Sequence, residues 1–354
     1  MTDPLAEPRS GASDHWIGAT VAGRFRLDAP IGAGAMGRVY RGRQLPAGEP
    51  VAIKLLHDHL GRDPRVAKRF DREARAASRL SHPSSLKILD FGEAEDGTLY
   101  IAMELLEGDD LQAIIDSDAP LAPARIADLM VQTLRALDQA HAAGIIHRDL
   151  KPENVVVIED AGNERVKVCD FGIAKIVEGD SAITAITKDG YICGTPEYMA
   201  PEQARGEAID ARTDVYAAGV MLYQMLTGSV PFRAQSALAV ITKHVKEAPL
   251  APREARPEWH IPEPLERIAL TALAKRPEER YPSAAAMADE IERAIAELGP
   301  EPDEHASGAG PADAALGSPA PVVAEVAPVD GRGWYVALAF ALALLAFGVW
   351  LWIG

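Results

Sequence analysis

Short runs rich in β-branched, aromatic and aliphatic residues punctuate the first hundred positions, at 25–27, 38–43, 51–56, 86–91 and 100–104. Runs of this length between turn residues predict strands. After the third run, Val66, Phe70 and Ala74 recur at helical spacing, which predicts a helix over 65–80. From residue 109 onward the period changes: Ile126, Met130, Leu134 and Leu137 mark one face of a helix over 123–141. Further helices are predicted over 214–226, 238–245, 264–274 and 283–296. A strand-rich segment, 25–106, therefore precedes a helical one, 107–296. Strands followed by helices indicate an α+β fold of two lobes, and ligands often bind between such units.

The flanks differ from this core. Residues 1–24 are polar and are expected to form a mobile leader, without the apolar stretch of a signal peptide. Residues 297–333 carry seven carboxylates against Arg332 alone, and six prolines fall between 299 and 333. Such a composition buries too little apolar surface to offset the entropy of ordering, so a disordered linker is expected. Residues 334–353 then run for 20 positions without a charge, long enough for a helix to cross a hydrocarbon layer of about 30 Å. With Arg332 on its N-terminal side, the run predicts a single C-terminal span that leaves the preceding domain on the cytoplasmic face of a cell membrane. A flexible tether of that length spans on average about 30–35 Å.

The 354 residues are 48% hydrophobic and 25% charged, which suits a packed core. A net charge of −16 argues against a general nucleic-acid binder. Cys169 and Cys193 form neither a disulfide framework nor a zinc pattern. Each is expected to serve as small apolar packing, with a redox or alkylation switch as the alternative.

Chemistry enters at residues 31–39, IGAGAMGRV, where Gly32, Gly34 and Gly37 let the backbone approach phosphates closely. The GxGxxG spacing also marks dinucleotide folds, but those require a helix next. Here residues 38–43 read as a strand, followed by the turn 45–48 and a strand, Val51-Ala52-Ile53-Lys54. Farther on stand His147-Arg148-Asp149-Leu150-Lys151-Pro152-Glu153-Asn154, Asp170-Phe171-Gly172 and Ala200-Pro201-Glu202. In these motifs the chain resembles the Hanks-type, eukaryotic-like serine/threonine protein kinases, and its Ala- and Pro-rich linker resembles membrane-anchored bacterial members. The resemblance covers about 270 residues. His82-Pro83-Ser84-Ser85-Leu86 departs from it, since HPNIV is common in the family at that point.

The resemblance implies a two-lobed protein-kinase fold that binds ATP and Mg²⁺, with Mn²⁺ as a substitute, and transfers the γ-phosphate to serine or threonine of proteins in signal transduction. Ile31, Gly32, Ala33, Gly34 and Gly37 would cover the nucleotide, and Val39 and Ala52 would sandwich its ring. Met103 would guard the back of the pocket, the backbones of Glu104 and Leu106 would bond adenine, and Asp110 would contact ribose. Lys54, paired with Glu73, would hold the α- and β-phosphates. Asp149 would act as base beside Lys151, and Asn154 and Asp170 would hold metal. Thr195 would bond Asp149 and Lys151, Glu202 would pair with Arg280, and Asp214 would brace the catalytic loop. Thr184 or Thr187 is the expected autophosphorylation site, modified in a transient homodimer, with Arg148 receiving the phosphate. A catalytically silent scaffold and a small-molecule kinase are the competing readings. The first has no need to keep Lys54, Glu73, Asp149, Asn154 and Asp170 together, and Lys151 with residues 194–202 argues against the second.

Overall fold

The computed structural model describes residues 14–34, 36–61, 63–172 and 195–298. Two compact units divide the chain, Met1–Pro300 and Glu301–Gly354, and all described residues belong to the first.

The N-terminal lobe is a six-stranded antiparallel sheet. Its strands are β1 (Thr20–Val21), β2 (Phe25–Gly34), β3 (Gly37–Gln44), β4 (Glu49–Leu56), β5 (Ile88–Glu93) and β6 (Leu99–Glu104), in spatial order β1-β2-β3-β4-β6-β5. Alternation along β4 sorts its side chains. Val51, Ile53 and Leu55 join Phe25, Leu27 and Tyr40 on one face, while Ala52 and Leu56 face helix α2 on the other. Lys54 shares the Ala52 face by the same parity. A short helix α1 (Asp58–Gly61) leads into α2 (Pro64–Ala77), where the Asp63 carboxylate accepts from the Arg65 N–H at 2.8 Å and Pro64 opens the first turn. Val66, Phe70, Ala74 and Ala77 form the buried stripe of α2.

Two expectations change here. Residues 14–24 are not a free leader. Thr20 and Val21 pair with Arg26 and Phe25, and the Asp14 carboxylate accepts from the Tyr40 hydroxyl at 2.8 Å, so this segment covers one face of the sheet. The strand expected over 86–91 begins only at Ile88. The serine-containing departure before it pairs instead with the other lobe: the Leu86 N–H donates to the Val168 carbonyl at 2.9 Å, and the Val168 N–H to the Ser84 carbonyl at 2.8 Å.

The second lobe opens with β7 (Gly108–Asp110) and α3 (Leu111–Asp118), then α4 (Pro123–Ala142) and the hairpin β8 (Val155–Asp160) and β9 (Asn163–Val168). After the segment 173–194 come α5 (Pro201–Arg205), α6 (Ala211–Thr227), α7 (Ala237–Lys246), α8 (Pro252–Ala255), α9 (Glu263–Ala272) and α10 (Ala284–Leu298). The last of these carries two residues, Glu297 and Leu298, that were expected in the linker. α6 is buried from Thr213 to Thr227, so helices surround it rather than cover one stripe. It crosses α9 so closely that a Cβ on Gly219 would stand 2.6 Å from the Ala272 Cβ and 3.2 Å from the Ala272 carbonyl carbon. Among the described residues no helix is long and apolar enough to cross a membrane; the apolar run 334–353 lies outside them.

The Gly219–Ala272 contact sets a sign. Gly219→Ala gains about 1 kcal/mol of helix propensity, but overpacking a closed crossing costs about 1–3 kcal/mol. A net loss is expected, seen as a lower urea midpoint with unchanged slope. A raised midpoint would show that the two helices part freely.

Candidate active site

The roof of the cleft is the glycine-tipped hairpin of β2 and β3. A side chain on Gly34 would meet nothing within 4 Å, and one on Gly32 would only graze Val39 at 3.9 Å, so both backbones face open space. Gly37 is glycine for another reason: a Cβ there would collide with the Leu55 carbonyl. Beneath the loop, Val39, Ala52 and Met103 belong to one apolar cluster, with Ala52 and Met103 opposite each other in register. Ile31 is exposed on the loop.

At the connection between lobes, the Glu104 Oε1 accepts from Lys167 Nζ and the Lys87 N–H, both at 2.8 Å, and the Glu104 N–H donates to the Lys87 carbonyl at 3.0 Å. Among the described residues the Leu106 N–H makes no backbone hydrogen bond. Asp110 serves the fold itself, since its Oδ1 accepts from the Ala113 N–H at 2.9 Å and caps α3.

The floor is the loop from His147 to Asn154, held from below. Asp214, at the N-terminal end of α6, is 1% exposed; its Oδ2 accepts from the His147 N–H at 2.8 Å and its Oδ1 from the Arg148 N–H at 2.9 Å. His141 Nε2 completes the set at 2.7 Å. Burial alone pushes this carboxyl up, but the hydrogen bond and charge of His141, with His147 and the Arg148 N–H, bring it below the ordinary carboxylate range. Arg148 is left with φ of 71°, a left-handed conformation strained for a side chain of its size. Asp149 follows directly. Its carboxylate receives the Thr195 hydroxyl at 3.4 Å, and Lys151 Nζ donates to that hydroxyl at 2.8 Å while standing 3.8 Å from Asp149. Asn154 Nδ2 donates to the Asp149 carbonyl at 2.7 Å, which turns its amide oxygen away from the loop.

β9 delivers Asp170, whose φ of 60° is again left-handed. The Asp170 Oδ2 accepts from Lys54 Nζ at 2.7 Å. Burial acts to raise this carboxyl, and the charge and hydrogen bond of Lys54, with His147 and Lys151, more than offset it, so that it ionises below its usual range. Phe171 is buried against the His147 ring, 5.1 Å between centroids. The expected pairing of Lys54 with Glu73 is therefore not the arrangement found. Lys54 engages Asp170, whereas the Glu73 carboxylate accepts from Arg72 Nε at 3.0 Å and lies beside Gly172.

Glu202 and Arg280 meet as expected, in two parallel bonds of 2.8 and 2.7 Å, with Arg280 5% exposed. The Thr213 hydroxyl and the Ala274 and Arg212 carbonyls satisfy the rest of the pair. Two contributors escaped sequence reasoning. His141 lies four residues beyond Leu137 on the apolar face of α4, a signal that was available. Gln203 accepts from the Ala200 N–H and donates to the Arg148 carbonyl at 2.9 Å, tying α5 to the catalytic loop; no spacing rule reveals it. Cys169 donates to the Lys167 carbonyl, and burial pushes its thiol far up, which supports packing over a reactive thiolate. Thr184, Thr187 and Cys193 lie outside the described residues.

Arg280→Met would strand the buried Glu202 carboxylate and is expected to cost about 3–5 kcal/mol in thermal or urea unfolding. Adding Glu202→Gln should recover part of that loss. A double variant no more stable than the single one would place the damage elsewhere.

A protein kinase domain model matches residues 25–291. Serine/threonine-protein kinase pkn3 of Myxococcus xanthus is 49% identical over 286 residues, which make up 80% of this chain and 52% of that protein. Serine/threonine-protein kinase PknB of Mycolicibacterium smegmatis is 41% identical over 273 residues, 76% of this chain and 43% of that one. The chain thus spans about half, or less, of the length of these relatives. The crystal structure of the Mycobacterium tuberculosis PknI kinase domain matches with a TM-score of 0.61 and 28% identity, over 78% of this chain and 98% of that one. This chain belongs to the protein kinase family, in the eukaryotic-like serine/threonine class that its bacterial relatives represent.

Proposed function

We propose that residues 25–296 transfer the γ-phosphate of ATP to serine and threonine hydroxyls of proteins, in signal transduction, as a non-specific serine/threonine protein kinase. The observation that carries this is the clustering of Lys151, Thr195 and Asn154 around Asp149 in the floor of the cleft, with Lys54 of the sheet above bonded to Asp170. The open backbone of Gly32 and Gly34 suits phosphates, and the apolar Val39, Ala52 and Met103 suit the adenine ring, whose edge would meet the backbones of Glu104 and Leu106.

Asp170 and the Asn154 amide form an oxygen donor pair of the kind that a hard divalent cation takes, with phosphate oxygens completing the shell. These two residues would hold Mg²⁺, or Mn²⁺, which supplies charge neutralisation at the β- and γ-phosphates. Lys54 neutralises the α- and β-phosphates. Asp149 receives the proton of the substrate hydroxyl, oriented by Thr195, and Lys151 stabilises the transferring phosphoryl group. The new bond joins the substrate oxygen to the γ-phosphorus as the bond to the β,γ-bridging oxygen breaks, and ADP departs.

The same proposal extends to regulation and place. Thr184 or Thr187 would be modified within a transient homodimer, and the new phosphate held by Arg148. The uncharged run 334–353, with Arg332 before it, supports anchoring in the inner membrane of a bacterium with the kinase domain cytoplasmic.

Radiolabelled ATP with a generic protein substrate tests the chemistry: Asp149→Asn should lose at least a hundredfold in rate, the usual scale for removing a positioned base. Equal labelling by both proteins would remove Asp149 from its role. Fractionation without detergent should leave the full chain with membranes, and full recovery in the soluble fraction would defeat the anchor.

A further inference from the structure

The backbone that carries Asp149 is held group by group. The Arg148 N–H donates to Asp214 Oδ1 at 2.9 Å, and the Asp149 carbonyl accepts from Asn154 Nδ2 at 2.7 Å. Between these two lies the Arg148 carbonyl, which accepts from Gln203 Nε2 at 2.9 Å. With φ of 71°, Arg148 occupies a region that an arginine seldom takes. A residue in such a conformation relaxes unless its surroundings fix it on both sides. Asp214 fixes the N-terminal side, and Gln203 the C-terminal side.

Gln203 meets a demand for two opposite functions on one group. Its Oε1 accepts from the Ala200 N–H at 3.0 Å while its Nε2 donates to the Arg148 carbonyl. An N–H only donates and a carbonyl only accepts, so the pair of partners calls for an acceptor and a donor together. An amide supplies both, whereas a carboxylate supplies acceptors alone. Gln203 is also kept in place from behind: it is half-buried in α5 next to Glu202, which Arg280 holds by bonds of 2.8 and 2.7 Å. Five residues before Ala200 stands Thr195, whose hydroxyl donates to the Asp149 carboxylate at 3.4 Å. The segment 195–203 therefore grips Asp149 twice, at its carboxylate through Thr195 and at the peptide before it through Gln203.

We propose that Gln203 is a positioning residue for phosphoryl transfer, locking the Arg148–Asp149 peptide so that the Asp149 carboxylate keeps its aim at the substrate hydroxyl. This rests on the role given to Asp149 under Proposed function. The side chain of Asp149 follows the plane of that peptide, because the bonds on either side of it set where the Cβ points. Without the Gln203 donor the plane turns, and the carboxylate spends its time in several directions of which one meets the hydroxyl. Turnover falls as a result. ATP binding, which rests on Lys54, Asp170 and the glycine hairpin, is left as it was.

The full chain in detergent is assayed on a generic protein substrate, with kcat and KM for ATP measured beside thermal unfolding. Gln203→Glu keeps an acceptor for the Ala200 N–H and removes the donor to Arg148. Its kcat should fall at least about tenfold, the scale on which misplaced groups lose rate, with KM for ATP and the thermal midpoint close to wild type. On an Asp149→Asn background the same change should cost less than about twofold, because residues that act as one unit are not additive. A kcat equal to wild type would overturn the proposal, and so would a full tenfold loss on the Asp149→Asn background, which would place the effect outside Asp149. Should Gln203→Glu lower the midpoint, Gln203→Met runs the same cycle without a buried charge. A loss in Asp149→Asn with none in Gln203→Glu or Gln203→Met defeats this inference alone; no loss in Asp149→Asn defeats the base assignment and this inference with it.

Discussion

A carboxylate withdrawn from water costs several kcal/mol unless other groups replace its solvation, and Asp214 meets that requirement with the N–H groups of His147 and Arg148 and the ring of His141. Two of those donors are consecutive amides of the catalytic loop. To present both to one carboxylate, the loop turns sharply, and Arg148 takes the left-handed conformation as the result. Such strain costs on the order of 1–3 kcal/mol and persists only where surrounding bonds over-determine it. Asp214 itself has no freedom to drift, because α6 is buried on all sides and crosses α9 at the closest approach glycine allows. The direction of Asp149 is thus set by a chain of contacts that begins in the deepest helix of the molecule.

What the sequence made legible follows from how much local information each feature carries. The strands and the long helices were readable because periodicity within one segment specifies them, and Asp149, Asn154, Asp170, Glu202 and Asp214 because they stand in motifs that resemble the family's. Arg280 was readable because family motifs extend that far. Missing were contacts whose two halves lie in different segments with no spacing to join them: His141 with Asp214, Gln203 with Arg148, and Ser84 with Val168. The leader at 14–24 was misjudged because its composition is polar, yet one carboxylate, Asp14, and one ring, Trp16, suffice to seat it on the sheet. Lys54 shows a different limit. The resemblance names Glu73 as its partner, and the structure pairs it with Asp170 while Glu73 meets Arg72.

Asp170 and Glu73 also differ in what surrounds them. Asp170 is ringed by Lys54, His147 and Lys151, so its ionised form is stabilised from several sides. Glu73 accepts from Arg72 Nε and lies beside Gly172.

The pairing of residues 84–86 with Val168 alters the mechanics of the whole domain. The chain already joins the lobes once, between Glu104 and Gly108, and the segment 82–86 joins them a second time, through the bridge to β9 and the His82 N–H bond to Gln139 Oε1 at 2.9 Å. A body attached to another at one point swivels in any direction; attached at two, it turns only about the line between them. Opening and closing of the cleft thus reduces to a single hinge axis. Because Val168 lies two residues before Asp170, that axis passes close to the carboxylate, which travels least while the glycine loop, at the far rim, travels most.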